Sequence, residues 1–162
     1  MRKDIFIDNN IAKNFTNPLD PEYKRLIQWL MAYNSENSSK NAYLMVSNKL
    51  IAEYQRTAGT SASATNITII IAKMTREGRL IKITNEQIRE FKRRHFTKRV
   101  ERNLTCNKED RDHIPVILLP ERKYALCRDN QFIHDLTYFP GFVVVAEKRP
   151  QDIRYDEQEN LA

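Results

Sequence analysis

Residues 3–10 read Lys3-Asp4-Ile5-Phe6-Ile7-Asp8-Asn9-Asn10, a short apolar run stopped by an acid and two amides. A β-branched and aromatic run of this length predicts a buried strand, and the polar residues after it predict a loop. The same pattern recurs at Tyr43-Leu44-Met45-Val46, at Tyr124-Ala125-Leu126-Cys127 before Arg128-Asp129, and at Phe142 to Ala146. Leu80 to Ile83 alternates apolar and basic residues and predicts one more short strand. The stretches between have helical spacing. Short apolar strands alternating with helices predict an α/β fold, a three-layer α/β/α sandwich around a central parallel sheet.

Asp20-Pro21-Glu22 is a helix start, with an N-cap acid, proline in the first turn and a glutamate behind it. Tyr23, Leu26, Ile27, Leu30 and Met31 then keep one face apolar. Asn34 to Asn41 is a polar linker, and Ser47 caps a helix carrying Leu50, Ile51 and Tyr54. Ile67, Ile70, Ile71 and Met74 favour a helix by period although isoleucine favours strands, and Gly78 stops it. Asn85 to Asn103 predicts a single helix, basic in its C-terminal half, and Asp110 to Leu119 another with Pro115 in its first turn. One domain is expected over residues 1–150, and an acidic, frayed tail over 151–162.

The chain has 162 residues, 27 Lys and Arg against 21 Asp and Glu, and a net charge of +6, which tilts its partner towards a polyanion. Its three glycines, Gly59, Gly78 and Gly141, are too scattered for a phosphate-cradling loop, so nucleotide-binding folds built on one are excluded. Two cysteines, Cys106 and Cys127, cannot frame a disulfide scaffold or a zinc cluster. No apolar run reaches membrane-helix length, and MRKDIFID lacks the apolar core of a signal peptide. A cytoplasmic protein with reduced thiols and no membrane partner is expected.

Strands of this chain end in acids. In a parallel sheet all carboxyl ends lie on one edge, where open α/β folds bind their ligands. Asp8 and Asp129 close two strands, Glu53 lies on the helix after a third, and Asp110 and Asp112 stand at a helix start. Gathered carboxylates repel one another, and a hard divalent cation removes that penalty. Such an ion lowers the pKa of a bound water and stabilises charge on a phosphodiester. The bland alternatives are caps for Asp8, Asp110 and Asp112, an exposed turn position for Asp129, and an Arg56 partner for Glu53.

Three segments carry a resemblance to the PIN-domain nucleases, which include the toxins of toxin–antitoxin pairs. They are IFIDNNIAKNF (5–15), VSNKLIAEYQR (46–56) and DRDHIPVILLPERKYALCRDNQF (110–132). The first resembles the family's strand–Asp–x–Asn and maps a metal acid onto Asp8 and a companion amide onto Asn10. The second resembles its Ser-to-Glu helix, with Glu53 as the second acid and Ser47 as a supporting residue. The last resembles its Asp–helix–strand–Asp, which makes Asp129 the fourth acid. The third acid falls on Asp110 or Asp112; Asp112, beside the helix start, is the expected one, with Asp110 auxiliary. Cys127 departs from the Ser or Thr usual two residues before the last acid.

The resemblance makes residues 1–150 a PIN-like nuclease domain and implies a metal-dependent endoribonuclease that uses Mg²⁺ or Mn²⁺. It also implies an RNA substrate, a cognate antitoxin over the cleft and a homodimer. Lys92, Arg93, Arg94, Lys98, Arg99 and Arg102 are the candidate RNA contacts, with a solvated helix face as their plain alternative. A PIN-like module that binds RNA or protein without cleaving is the competing reading. His113, next to Asp112, is expected to be structural.

Overall fold

The structure is a computed structural model and describes residues 1–59 and 61–156. Strand β1 (Lys3–Ile7) runs straight into α1 (Asn9–Ala12), whose N-cap is Asp8. The polar loop expected at Asp8-Asn9-Asn10 is therefore a helix start: the acid that ends the strand opens the helix. A 3-10 turn (Lys13–Thr16) and α2 (Pro21–Met31) follow, the latter capped by Asp20 with proline in its first turn. Next come β2 (Ala42–Val46), α3 (Asn48–Ala58) capped by Ser47, α4 (Ile67–Arg76) and β3 (Leu80–Lys82). Gly78, at φ 72°, ends α4 in the left-handed conformation that a side chain disfavours.

The basic stretch is two helices, α5 (Asn85–His95) and α6 (Lys98–Asn103), rather than one. Thr97 breaks it because its hydroxyl accepts from Val100 N at 3.1 Å and so caps a new helix. Asp110–His113 is a 3-10 turn leading into α7 (Ile114–Leu118), then β4 (Tyr124–Leu126), α8 (Asn130–Thr137) and β5 (Val145–Glu147). The last strand starts later than the apolar run from Phe142 suggests.

All five strands are parallel, in the order β3-β2-β1-β4-β5. The chain winds outward from β1 through β2 to β3, then returns to the other side of β1 for β4 and β5. Right-handed crossovers place α2, α3 and α4 on one face and α5, α7 and α8 on the other. The packing agrees, with α2 and α3 against α4, and α5 against α7. This is the expected three-layer sandwich with a parallel sheet. Ile5, Phe6, Ile7, Leu44, Val46, Ala125 and Leu126 form its fully buried centre. α7 is buried along its whole length, which explains why it lacks a polar face.

Arg79 is a buried cation of this frame, only 1% exposed. It donates to the carbonyls of Leu30 and Ala42 and to the Glu77 carboxylate, tying α2, β2 and the end of α4 together. The first residues of the expected tail are packed as well. Ile153 and Tyr155 are buried, and Tyr155 meets Trp29 edge-on and lies under Arg25. The frayed-tail expectation therefore fails through residue 156, and its remainder lies outside the described residues. Among the described residues no helix is long and apolar enough to cross a membrane.

Candidate functional site

The strand order reverses between β1 and β4, and open α/β sheets bind ligands at such a switch point, outside the carboxyl ends. Asp8 and Asp129 stand there. Asp8 N donates to Leu126 O at 3.0 Å, which fixes the end of β1 against β4. Asp8 Oδ1 accepts from Asn9 N at 2.9 Å, and Asp129 Oδ1 accepts from Gln131 N at 2.9 Å and Phe132 N at 3.4 Å. Both acids are thus caps, of α1 and α8. In each, Oδ2 has no hydrogen-bond partner among the described residues, so capping leaves one oxygen per carboxylate for the cleft.

A cleft of about 120 Å³ opens between these helix starts, and Asp8, Asn9, Asn10, Glu53, Asp110, His113, Asp129 and Phe132 line it. Glu53 reaches it from α3 because two contacts fix that helix. The Tyr54 hydroxyl donates to Ile7 O at the end of β1, and Ser47 Oγ accepts from Leu50 N at 3.1 Å. His113 Nε2 then donates to Glu53 Oε1 at 3.1 Å and Oε2 at 2.9 Å. His113 is buried against the Phe6 ring, and its Nδ1 has no partner. Sequence reasoning missed the roles of Tyr54 and His113, because a helical tyrosine reads as core and their partners are distant in the chain.

Asp110 enters from the 3-10 turn and makes no side-chain hydrogen bond or ion pair among the described residues. Burial pushes its carboxyl above the ordinary range, opposed by His113 and reinforced by the charges of Asp129 and Glu53. Burial likewise raises Asp8, with Asp110 and Glu53 adding to it. Glu53 differs: burial works to raise it, but the hydrogen bond and charge of His113 hold it below its usual value. These acids therefore sense one another across the cleft, and like charges are only partly offset by His113.

The donor set is hard oxygen throughout, with free oxygens on Asp8, Asp110 and Asp129, and this fits Mg²⁺ or Mn²⁺ by chemistry. Asn9 adds an orphan: its Nδ2 donates to Thr57 Oγ1 at 2.7 Å, while its buried Oδ1 has no partner. Among the described residues, no three Asp, Glu, His or Cys side chains are already gathered to hold an ion.

Asp112, the expected third acid, points elsewhere. It is bound by Lys92 from α5 and by Lys49 from α3, the latter at 3.1 Å, and these lysines hold its carboxyl below the ordinary range against burial. Lys49 also donates to Glu109 O. Asp112 is a tether, and Asp110 takes the place in the cleft. The reason is geometric: with three residues per 3-10 turn, positions two apart project about 120° apart around the axis. Ser47 caps α3 and does not line the cleft, whereas Asn10 does. Of the basic residues, Lys92 is taken up by Asp112, and Arg93 and Arg94 by Glu90. Lys98, Arg99 and Arg102 have no ion pair among the described residues.

No protein-family model matches the sequence, and no curated protein does. Among solved structures, this chain is similar to one in VapBC2 from Rickettsia felis bound to a DNA fragment from their promoter. The TM-score is 0.56 at 14% identity, over 90% of this chain and 99% of that one. A chain of FitAcB from Neisseria gonorrhoeae gives a TM-score of 0.48 at 14% identity, over 92% and 99%. The first likeness shows the fold, which is PIN-like, as the three sequence segments imply.

Proposed function

We propose that the switch-point cleft is the centre of a metal-dependent endoribonuclease, in which Asp8, Glu53, Asp110 and Asp129 hold Mg²⁺ or Mn²⁺. The ion, when bound, supplies an activated water and charge stabilisation for phosphodiester cleavage. The chain's own part is preorganisation. Asp8 and Asp129 are anchored through Oδ1 to helix starts, His113 grips Glu53, and Tyr54 fixes α3 against β1. The observation that carries this reading is Asp110, a partly buried acid with no side-chain partner among the described residues, facing three further carboxylates. An uncompensated charge of this kind calls for a cation.

The fold likeness to a VapBC2 chain supports extending the reading to the toxin of a toxin–antitoxin pair, acting in the cytoplasm, with a small antitoxin covering the cleft. The test is cleavage of single-stranded RNA with Mg²⁺ or Mn²⁺ against a chelator. Products that require metal and vanish in Asp8→Asn support it; undiminished cleavage by Asp8→Asn contradicts it.

A second reading, a PIN-like module that binds without cleaving, is favoured by one arrangement. His113 engages both oxygens of Glu53, and among the described residues no three ligating side chains are gathered. It predicts retention of RNA with no metal-dependent product.

A further inference from the structure

A groove of about 900 Å³ lies between α5–α6 and α8, and its lining combines Arg94 and Arg99 with the rings of exposed His134 and Tyr138, half-buried His95 and buried Phe139. From these residues we infer that the groove is an accessory site for single-stranded RNA, feeding the acid cleft. The inference rests on the ribonuclease reading for the direction of the strand and on separate observations for the binding.

The first observation is a stacking platform. Tyr138 is 71% exposed, unusual for a tyrosine, and its ring lies 4.7 Å from that of His134. Behind it the rings are fixed: His95 packs 4.6 Å from Phe91 and 5.1 Å from Phe142, and Phe139 packs on Phe91 and Phe96. Tyr138 and His134 thus present open ring faces beside the packed His95, and every base has a π-face to stack on them.

The second observation is charge. Arg99 of α6 lines the groove with no ion pair among the described residues, and Arg94 of α5 lines it while paired to Glu90; Lys98 and Arg102 line a separate hollow with Glu101. Asp135 also lines the groove, but it is buried, and its oxygens accept from Thr105 N, Thr105 Oγ1 and Cys106 N. The groove therefore sets guanidinium groups beside aromatic rings, which suits a single strand and not a double helix, whose bases are already stacked.

The third observation is continuity. Asp129 caps the start of α8 in the cleft, and Tyr138 stands at its other end, nine residues or about 14 Å of rise away. The Asp135 anchor also holds the segment that leads to Asp110, so groove and cleft share two elements.

The test is fluorescence anisotropy of the full chain with a short labelled single-stranded RNA in chelator, across a salt series. Tyr138→Ala is expected to weaken binding about tenfold, within the range of a missing base stack. Arg99→Ala is expected to lower the salt slope by about 0.7 for each phosphate no longer neutralised. Both sites are on the surface, and circular dichroism checks that the variants fold. Unchanged affinity and slope in both variants overturn the inference, as does equal binding of double-stranded DNA. Absence of any RNA affinity in the unaltered chain also overturns it, and leaves the groove to a protein partner. Cleavage is read separately with Mg²⁺ on the same proteins: loss of binding in the variants without any cleavage by the unaltered chain supports the groove and contradicts the nuclease.

Discussion

His113 Nε2 donates to both carboxylate oxygens of Glu53, at 3.1 and 2.9 Å, across 60 residues of chain. This contact joins the 3-10 turn of Asp110 to helix α3, so one imidazole holds two of the four cleft acids in place. His113→Ala removes a charge-assisted hydrogen bond and the packing on Phe6, and is expected to lower stability by about 2–4 kcal/mol. Urea unfolding at neutral pH measures it. His113→Gln, which keeps a donor, should recover part of the loss.

Arg79 and Glu77 form a buried ion pair in the frame, with Arg79 side-chain exposure of 1% and Glu77 of 15%. Glu77→Gln leaves a buried guanidinium without its anion and is expected to cost about 3 kcal/mol at neutral pH. Burial works to raise the Glu77 carboxyl, but bonds from Lys73 and Arg79 hold it below its ordinary value of 4.5. A carboxyl depressed in the folded state stabilises above its unfolded pKa and loses that contribution as pH falls through its folded value. The stability gap between the unaltered chain and Glu77→Gln should therefore shrink below pH 4.5. A gap constant into acid would contradict the pairing.

Asp135 clamps Thr105 and Cys106, and burial together with that carboxylate pushes the Cys106 thiol up to about 12. Burial raises the Cys127 thiol still further. Neither cysteine should react with an aromatic disulfide reagent in the folded protein at mildly alkaline pH, and both should react in denaturant. Asp135→Ala is expected to expose Cys106 selectively, which labelling and mass spectrometry would show.

The cleft acids should work against the fold when no cation is present. Burial and neighbouring charge raise the Asp110 carboxyl, so the folded state favours its neutral form and is weakened above that pKa. Asp110→Asn in chelator is expected to raise stability by about 0.5–1 kcal/mol, or a few degrees in Tm. Differential scanning fluorimetry at neutral pH reads it, and the gain should fade in acid.

Much of this architecture is written locally. Ile5-Phe6-Ile7 and Tyr124-Ala125-Leu126 are apolar runs too short for helices, and Asp8 and Asp129 follow them, so the acid edge of the sheet is legible. The cap at Thr97 is hidden because the residues around it favour helix on either side. Asp110 and Asp112 look alike in sequence; the turn that aims them apart, and the lysines of α3 and α5 that take up Asp112, are tertiary facts. His113 and Tyr54 take their roles from partners 60 and 47 residues away. Ile153 and Tyr155 read as tail because acids surround them, yet Trp29 and Arg25 receive Tyr155.

The assignment of Asp110 rather than Asp112 to a divalent cation is tested most directly by thermal shift with saturating Mn²⁺ on three proteins. A ligand at 100 times its Kd adds about 2.7 kcal/mol to stability, several degrees for a domain of this size. The unaltered chain and Asp112→Asn should both rise by that amount over their own metal-free values, and Asp110→Asn should not. A shift lost in Asp112→Asn and kept in Asp110→Asn, or no shift in the unaltered chain, would contradict the account.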